Sequence, residues 1–333
     1  MLVKVILSGG NGKRLFPLST DDHPKQYLSF YHDERCLLDQ VLSLNIGEDL
    51  TLIVSSIKDQ ERLEPLQSNR VKVIYEPFRR DTSAAVLFAC IYLRSQYPQQ
   101  SVEVVVLPSD NIVDQDEINR CLTATRRFTD TYLITFGVVP DYPATVYGYI
   151  RVDQPIADHL TTVKYFKEKP NLETAQIYLT QGDHLWNSGI YYSNLNYFLQ
   201  LMRTFSCNYD SMGEYVRTGN HKHFSDCQSI SFDVDISEKC KSLLVYRYRE
   251  KWVDVGNWKA VYDCCPADLL DGGRNFIKGI GEVKTLGTEG SLIMNTTPLP
   301  VKVLGLKSSV VVLTPDGLLI SDIEHCHRLK EIV

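Results

Sequence analysis

The sequence predicts a protein of the α/β class with a small all-β region at its C-terminal end. Apolar runs of strand length alternate with segments of helical periodicity over the first half of the chain, which is typical of parallel β-α-β units. From about residue 277, short β-branched runs separated by Gly, Pro, Asn and Asp follow one another. Together these observations predict a Rossmann-like, mainly parallel sheet flanked by helices, followed by a small C-terminal all-β domain.

The individual elements follow in chain order. The apolar run 2–7 predicts a strand buried on both faces, and a Gly-rich loop comes directly after it. The run 102–107 is the strongest strand signal and ends at Pro-Ser-Asp. Further strands are predicted at 52–55, 71–75, 132–138, 162–167, 301–304, 310–313 and 318–320, and helices at 37–44, 83–95 and 172–181. By composition, 1–270 forms the larger domain and 277–333 the small β domain.

Composition and charge exclude several classes of partner. The 333 residues carry 35 Lys and Arg against 41 Asp and Glu, a net charge of −6, whereas nucleic-acid binders normally have a basic surplus. No run approaches the ~18 apolar residues of a membrane span, and the first apolar run is too short for a secretory signal. We therefore expect no nucleic-acid or membrane partner, and a cytoplasmic protein.

Cysteine and histidine usage favours reduced thiols over a disulfide framework or a metal centre. The nine cysteines are odd in number and contain no C-x-x-C spacing. His325 and His327 flank Cys326, and on a strand only the two histidines would converge. A surface strand end is the interpretation we adopt for them, rather than a metal site.

The Gly-rich segment 7–15 has the chemistry of an anion-binding loop. Its glycines let backbone amides approach a phosphate closely, and Arg14 adds a planar cation. No G-K-[ST] ends it, and Leu15 stands where the third Gly of a dinucleotide fingerprint belongs, which argues against a dehydrogenase. A generic Gly-rich turn is the alternative. Lys25 is either a second cation for this loop or a solvated surface lysine.

Two aspartates from distant segments are candidate metal ligands. Asp110 ends the strongest strand, at the edge of the sheet where ligands bind in open α/β folds. Asp254 lies in the apolar stretch 252–258, where a lone charge needs a partner. Two such carboxylates can share one Mg²⁺ with phosphate oxygens. A helix cap or turn is the alternative for each aspartate on its own.

Three further segments suit a sugar phosphate. In the first segment, Glu168 and Lys169 precede Pro170. The carboxylate suits the hydroxyls of a sugar, and the cation beside it suits the phosphate of the same sugar. A run of solvated charges is the alternative. Asn187 offers both a donor and an acceptor to a sugar hydroxyl. The stretch 147–150, Tyr-Gly-Tyr-Ile, is typical of ordinary strand residues on its own.

The order of these motifs is more informative than any one of them. The series L-S-G-G-x-G-x-R-L-x-P-L-S, P-K-Q, E-P-x-x-R, P-S-D, Y-G-Y-I, E-K-P, W-N-S-G and W-x-D-V-G-x-W resembles the mannose-1-phosphate guanylyltransferase family of sugar nucleotidyltransferases. The match runs from residue 3 to about 262. The tail is similar to the family's short β domain, which implies a left-handed β-helix-like fold. Because the chain stops at 333, it resembles the monofunctional form without a fused isomerase domain.

The resemblance implies transfer of GMP from GTP to α-D-mannose 1-phosphate by in-line, Mg²⁺-assisted attack on the α-phosphate, giving GDP-mannose and pyrophosphate. The residues implied as catalytic are Arg14, Lys25, Asp110 and Asp254, of which Asp110 and Asp254 would hold the metal. Those implied for the nucleotide are Leu7, Gly9, Gly10, Gly12, Lys13, Arg14, Asp81, Thr82 and Ser109, and those for the sugar phosphate are Tyr147, Gly148, Glu168, Lys169 and Asn187. Short edge strands in the β tail favour a homodimer.

The chain departs from the family pattern where base and sugar contacts are expected. Asp81 and Ser83 stand where the family's R-N-T-A has Asn and Ala, and Asn111 stands where its P-S-D-H has His. Ala144 and Val146 stand where its E-T-G-Y-G-Y has Glu and the first Gly. Residues 231–239 differ at several positions from the family's S-I-D-Y-x-x-M-E-K. Two alternatives therefore stay open. The first is the same reaction with another sugar 1-phosphate or another NTP, and the second is a catalytically silent binding or regulatory homologue.

Overall fold

The computed structural model describes residues 1–10, 12–31 and 35–333, and of Lys13 the backbone only. The strands are β1 (Leu2–Ser8), β2 (Leu50–Ser56), β3 (Val71–Glu76), β4 (Glu103–Pro108), β5 (Asn111–Val113), β6 (Leu133–Val138), β7 (Tyr149–Ala157), β8 (Leu160–Lys167), β9 (His184–Asn194), β10 (Leu243–Tyr248), β11 (Trp252–Asp254), β12 (Phe276–Gly279), β13 (Val283–Leu286), β14 (Leu292–Asn295), β15 (Val301–Leu304), β16 (Ser309–Thr314) and β17 (Gly317–Asp322).

The α-helices are α1 (Leu37–Leu42), α2 (Gln60–Leu63), α3 (Asp81–Gln96), α4 (Gln115–Thr125), α5 (Leu172–Gln181), α6 (Leu195–Phe205), α7 (Tyr209–Thr218), α8 (His221–Ser225) and α9 (Trp258–Asp263). The predicted strands and helices are present within a few residues of their predicted ends. The tail differs at one point: residues 326–331 form a 3₁₀ helix, so the prediction of a strand end at His325 and His327 is wrong.

A nine-stranded sheet with the order β3-β2-β1-β4-β9-β6-β10-β8-β7 is the centre of the fold. Its first four strands are parallel, as predicted for consecutive β-α-β units. Beyond β4 the sheet is mixed, because β9 runs antiparallel to both β4 and β6. The α/β class, the mainly parallel sheet and the flanking helices are confirmed, since only β8 and β9 run against the direction of the other strands.

The chain divides into two compact units. The sheet unit contains Met1–Gly9, Leu44–Ser109 and Val113–Trp252, and the second unit contains Gly10–Ser43, Asp110–Ile112 and Val253–Val333. These units do not follow the predicted boundary at 270–277. That boundary stays a prediction, because compactness does not show which part folds independently.

The core of the sheet unit lies between β1, β2 and β4 and the helices that cover them. Val3, Val5 and Val104 of the central strands are fully buried. The 16-residue helix α3 buries small and apolar side chains along most of its length, so it packs closely against the strands. Within the sheet unit, this core fixes the carboxyl ends of β1, β3 and β4.

The second unit carries the C-terminal strands in separate sheets. Strands β12, β14 and β16 pair in parallel with Phe276, Leu292 and Val310 in register, and β13 pairs in parallel with β15. Two stacked parallel sheets of short strands match the predicted β-helix-like tail. Strand β17 closes the four-stranded sheet in the antiparallel direction. The N-terminal loop packs here: the Trp258 indole donates to the Phe16 carbonyl oxygen at 2.9 Å.

Candidate functional site

The glycine loop of the second unit packs directly on Lys25. Gly12 has a φ of +63°, and a Cβ atom there would lie 2.5 Å from Cβ of Lys25 and 2.7 Å from Oγ of Ser19. A side chain at this position would therefore clash and would also be strained, so only glycine fits. A Cβ atom on Gly10 would lie 3.5 Å from Cε of Lys25. The loop and the lysine thus form one local structure, and Lys25 is not a solvated surface lysine. The side chain of Lys13 lies outside the described residues.

Lys25 is surrounded by the two predicted metal ligands. Its ammonium group forms a short ion pair with Asp110, and both side chains are largely buried. Burial alone would lower the pKa of Lys25, but the charges of Asp110 and Asp254 outweigh it and raise the pKa above its usual value. The lysine is therefore a permanent cation between two carboxylates that are 144 positions apart in sequence.

Arg14 joins the same cluster through Gly256. A Cβ atom on Gly256 would lie 3.2 Å from Oδ2 of Asp254 and 3.4 Å from an Arg14 guanidinium nitrogen. The backbone holds the two aspartate segments together, since the Val255 amide donates to the Asp110 carbonyl oxygen at 3.1 Å. Two cations and two carboxylates thus converge in the second unit.

The two carboxylates of this cluster suit a bound Mg²⁺. Mg²⁺ is usually bound by one or two carboxylates, with the other positions taken by water and substrate phosphates, and Asp110 and Asp254 supply two carboxylates in one place. In the described residues, no group of three or more His, Cys, Asp or Glu side chains has the arrangement of a metal site. Such an ion would therefore depend on phosphate oxygens for much of its coordination.

In the sheet unit, the predicted nucleotide residues lie at the ends of β1 and β4 and at the start of α3. The Ser109 amide donates to the Leu7 carbonyl oxygen at 3.0 Å, so these two residues are neighbours. Asp81 has a φ of +62°, a conformation that Asp and Asn tolerate better than most residues, so the backbone accepts Asp as well as the Asn of the family pattern. The Thr82 hydroxyl accepts from the Phe232 amide at 2.9 Å, so that oxygen is used within the protein.

Glu76 is a buried carboxylate that the sequence predictions did not include. It ends β3, and a Cβ atom on Gly9 would lie 3.5 Å from its Oε2. Its Oε1 is buried and has no hydrogen-bond partner in the described part of the chain. Burial, with a smaller contribution from the charge of Asp81, raises the pKa of Glu76 to about 8, although Arg79 opposes the shift. A desolvated acceptor beside Gly9 is a candidate for a ligand contact.

The predicted sugar-phosphate residues Glu168, Lys169 and Gly148 are close neighbours. Lys169 forms a short ion pair with Glu168. A Cβ atom on Gly148 would lie 2.7 Å from Oε2 of Glu168, so glycine is needed to let this carboxylate approach the backbone. Burial and the nearby charge of Asp233 raise the pKa of Glu168. Burial alone would lower the pKa of Lys169, but Glu168 and Asp233 raise it overall.

Asn187 is buried, and its amide is bound within the protein. The amide oxygen accepts from the Thr135 hydroxyl at 2.8 Å, and the amide nitrogen donates to Oδ1 of Asp233 at 2.8 Å and to the Tyr191 hydroxyl at 3.1 Å. These contacts differ from the predicted one with a sugar hydroxyl. The predicted contact stays a prediction, and any sugar would have to share an amide that is already engaged.

Tyr147 belongs to an aromatic cluster rather than to the polar group. Its ring centroid lies 5.2 Å from that of Trp186 and 5.3 Å from that of Trp252, both in edge-to-face geometry. Ala144 is buried in the same cluster. This apolar packing explains why the carboxylate of the family pattern can be replaced by Ala at position 144 here.

The structure therefore collects the predicted residues into separate groups. Arg14, Lys25, Asp110 and Asp254 converge in the second unit with Gly10 and Gly12. In the sheet unit, Leu7, Gly9 and Ser109 lie together, and Asp81 and Thr82 begin α3. Gly148 and Lys169 lie beside Glu168, and Asn187 binds Asp233. Glu76, Tyr191 and Asp233 were missed. Glu76 begins the E-P-x-x-R motif and Asp233 lies in the segment 231–239, whereas Tyr191 belongs to none of the quoted motifs.

Comparison with known proteins agrees with this chemistry. The model of the Nucleotidyl transferase family matches residues 3–269, and the chain belongs to this family of transferases. In the described residues, no helix combines the length and apolar character needed to cross a membrane.

The resemblance found in the ordered motifs is also confirmed. A mannose-1-phosphate guanylyltransferase from Escherichia coli is 30% identical over 356 residues, covering 100% of this chain and 75% of the relative. Mannose-1-phosphate guanylyltransferase 2 of Escherichia coli O157:H7 is 28% identical over 359 residues, covering 100% and 73%. A crystal structure from Thermus thermophilus, described as a mannose-1-phosphate geranyltransferase, superposes with a TM-score of 0.84 at 26% identity, covering 99% and 98%.

Proposed function

We propose that the chain transfers GMP from GTP to α-D-mannose 1-phosphate, releasing pyrophosphate and forming GDP-mannose. The convergence of Lys25 and Arg14 with Asp110 and Asp254 carries the proposal. Transfer between two polyanions needs fixed cations for the phosphates and carboxylates for a divalent ion, and this cluster offers both. The names of the relatives support the choice of sugar and nucleotide.

The reaction needs positioning more than acid–base chemistry. An oxygen of the sugar phosphate attacks the α-phosphorus of GTP. The bond between the α-phosphorus and the oxygen that bridges it to the β-phosphorus breaks, and pyrophosphate leaves with the electron pair of that bond. Lys25 and Arg14 neutralise the phosphate oxygens, and Lys169 holds the sugar phosphate. Asp110 and Asp254 would hold Mg²⁺, which when bound withdraws charge from the phosphates. Glycine amides of the loop add donors to the same oxygens.

Glu76 favours guanine among the bases. Guanine presents two adjacent donors, N1–H and the N2 amino group, and a carboxylate is an acceptor for such a pair. The buried Oε1 of Glu76 has no hydrogen-bond partner among the described residues, and the carboxylate lies beside Gly9 of the same unit. Ionisation in the complex would be favoured because the base supplies hydrogen bonds to the charged form.

Pyrophosphate release measured over a panel of NTPs and hexose 1-phosphates tests the proposal. We expect the highest kcat/KM with GTP and mannose 1-phosphate, loss of activity with a chelator, and its return with Mg²⁺. A higher value with another pair would replace this substrate assignment by the first alternative. No release with any pair, from a protein that still binds GTP, would favour the silent binding homologue.

The cellular setting is also a proposal. We propose a cytoplasmic protein that acts as a homodimer. In β17, an edge strand of its sheet, Leu318 and Ile320 are exposed side chains through which two copies would pair. Sedimentation equilibrium tests this: a dimer is expected, and a monomer at micromolar concentration would contradict it.

A further inference from the structure

Asp233 is a half-buried carboxylate at the start of the π-helical turn Asp233–Ser237. Its Oδ1 accepts hydrogen bonds from the Tyr191 hydroxyl at 2.5 Å and from the Asn187 amide at 2.8 Å. Both of these hydrogen bonds end on the same oxygen. The carboxylate is thus oriented through Oδ1, and its Oδ2 takes part in neither of them.

The two donors are themselves fixed by further hydrogen bonds. Ser237 donates to the Tyr191 hydroxyl at 2.9 Å, and Thr135 donates to the Asn187 amide oxygen at 2.8 Å. Ser237, Tyr191 and Asn187 are buried, so these bonds act in a low-dielectric surrounding. The family pattern has Met where this chain has Ser237, and Met cannot donate a hydrogen bond to Tyr191.

Asp233 lies close to the proposed sugar-phosphate residues of the same unit. Its charge raises the pKa of both Glu168 and Lys169. Burial raises the pKa of Asp233 itself, while the Tyr191 hydrogen bond and the charge of Lys169 oppose that shift. The backbone also joins the two segments, because the Glu168 amide donates at 3.0 Å to Oε1 of Glu238, the residue directly after the turn.

We propose that Asp233 is a further sugar-binding residue, with Oδ2 accepting a hydrogen bond from a hydroxyl of the hexose whose phosphate is bound by Lys169. Tyr191, Asn187 and Ser237 are positioning residues, because they act on the sugar only through Asp233. The inference rests on the proposed function, since it takes a hexose 1-phosphate as the ligand. A hydrogen bond to a fixed, charged acceptor discriminates well between a substrate and its deoxy analogue.

Calorimetric titration of the full chain with mannose 1-phosphate tests this assignment. Asp233→Asn is expected to weaken binding about 10- to 100-fold, because a charged hydrogen bond is lost, and to leave GTP binding unchanged. The matched control is Asp235→Asn, two residues along the same turn, whose carboxylate binds Ser83 and Lys239 instead. This control should keep the wild-type affinity for the sugar.

A series of monodeoxy sugar phosphates identifies the hydroxyl. In the wild type, removal of one hydroxyl should weaken binding about as much as Asp233→Asn does, and in the Asp233→Asn variant the same removal should cost little. Equal losses for every analogue in both proteins would overturn the assignment. So would wild-type affinity for mannose 1-phosphate in the Asp233→Asn variant.

Two milder variants cover the case in which Asp233→Asn does not fold. Tyr191→Phe and Ser237→Ala should weaken mannose 1-phosphate binding severalfold and leave kcat at saturation unchanged, and Ser237→Thr should restore the affinity. Unchanged affinity in both milder variants would overturn the positioning roles and, with them, the proposal. Because binding is measured without turnover, this failure is distinct from failure to release pyrophosphate, which would bear on the proposed function.

Discussion

Lys25 in the second unit and Lys169 in the sheet unit have the same kind of partner and very different surroundings. Each forms a short ion pair with a carboxylate, and in each the nearby acids outweigh the effect of burial and raise the lysine pKa. The Lys25 side chain, however, is 13% exposed and that of Lys169 is 58% exposed.

The difference in exposure assigns different tasks to the two lysines. Lys25 is fixed between Asp110 and Asp254, with Arg14 adding a second cation, so charge in that group is balanced. Lys169 offers its positive charge to Glu168 and Asp233, and its side chain is open to solvent. We interpret the first group as a rigid phosphate and metal group, and the second as a lysine that can leave Glu168 for an incoming phosphate.

The largest expected effect is on the rigid group. Asp254→Asn should lower kcat for pyrophosphate release about 10²- to 10⁴-fold, since it removes charge stabilisation worth several kcal/mol. Steady-state rates at saturating substrates and several Mg²⁺ concentrations measure this. Asp263→Asn is the control, because Asp263 is an exposed carboxylate of the same unit. Similar rates in both variants would remove Asp254 from the metal group.

The next effect sharpens the contrast between the lysines. Lys169→Met should raise KM for the sugar 1-phosphate about 10- to 100-fold through the loss of a charged hydrogen bond, with KM for GTP within about twofold. Lys167→Met, at an exposed neighbouring position, is the control. An equal rise in both KM values would mean that Lys169 does not separate the two substrates.

A smaller effect is expected at the base. Glu76→Gln should lower kcat/KM for GTP about 10-fold, because the amide offers one acceptor and places a donor against the guanine donors, while the low activity with ATP changes less than about threefold. Competition assays with both nucleotides measure the ratio. Glu64→Gln, an exposed site, is the control. An unchanged GTP to ATP ratio would remove Glu76 from base recognition.

The smallest effect concerns stability in the sheet unit. His184 has a fully buried side chain, and burial lowers its pKa although Asp183 opposes the shift. The folded protein therefore prefers neutral His184, so this stabilisation is complete above the ordinary histidine pKa near 6.5 and is lost as the pH falls below it. We expect the unfolding free energy of the wild type to fall between pH 6.5 and 5 more steeply than that of His184→Gln, by at most about 1.4 kcal/mol for each pH unit. An equal change of the unfolding free energy with pH in the wild type and in His184→Gln would contradict this.

Much of the fold was predictable because local patterns determine it. The strand Leu2–Ser8, the helix Asp81–Gln96 and the short strands of the tail are all encoded by nearby residues. The direction of β9 was not predictable. Its residues are buried almost throughout, as in a central parallel strand, and burial alone does not distinguish the two directions.

The sequence indicated that the glycine loop and Lys25 lie together, because both suit the same phosphate. It did not indicate the ion pair between Lys25 and Asp110, since these residues come from distant segments. Asn187 does not, because the residues that bind its amide, Thr135, Tyr191 and Asp233, come from separate elements of the sheet unit and leave no signal in the spacing. Glu76 likewise looks like an ordinary strand end until its burial is known.

The parallel pairing of β12, β14 and β16 has a consequence for how this protein can change in length. A coil is here one of these strands with the chain that leads to the next. Each of these strands pairs only with the strands beside it in the sheet, so a whole coil inserted between two others would meet neighbours of the same kind. Part of a coil would shift every later side chain out of register. Antiparallel β17 covers the outer edge of β16, so a further parallel coil cannot pair with β16 there.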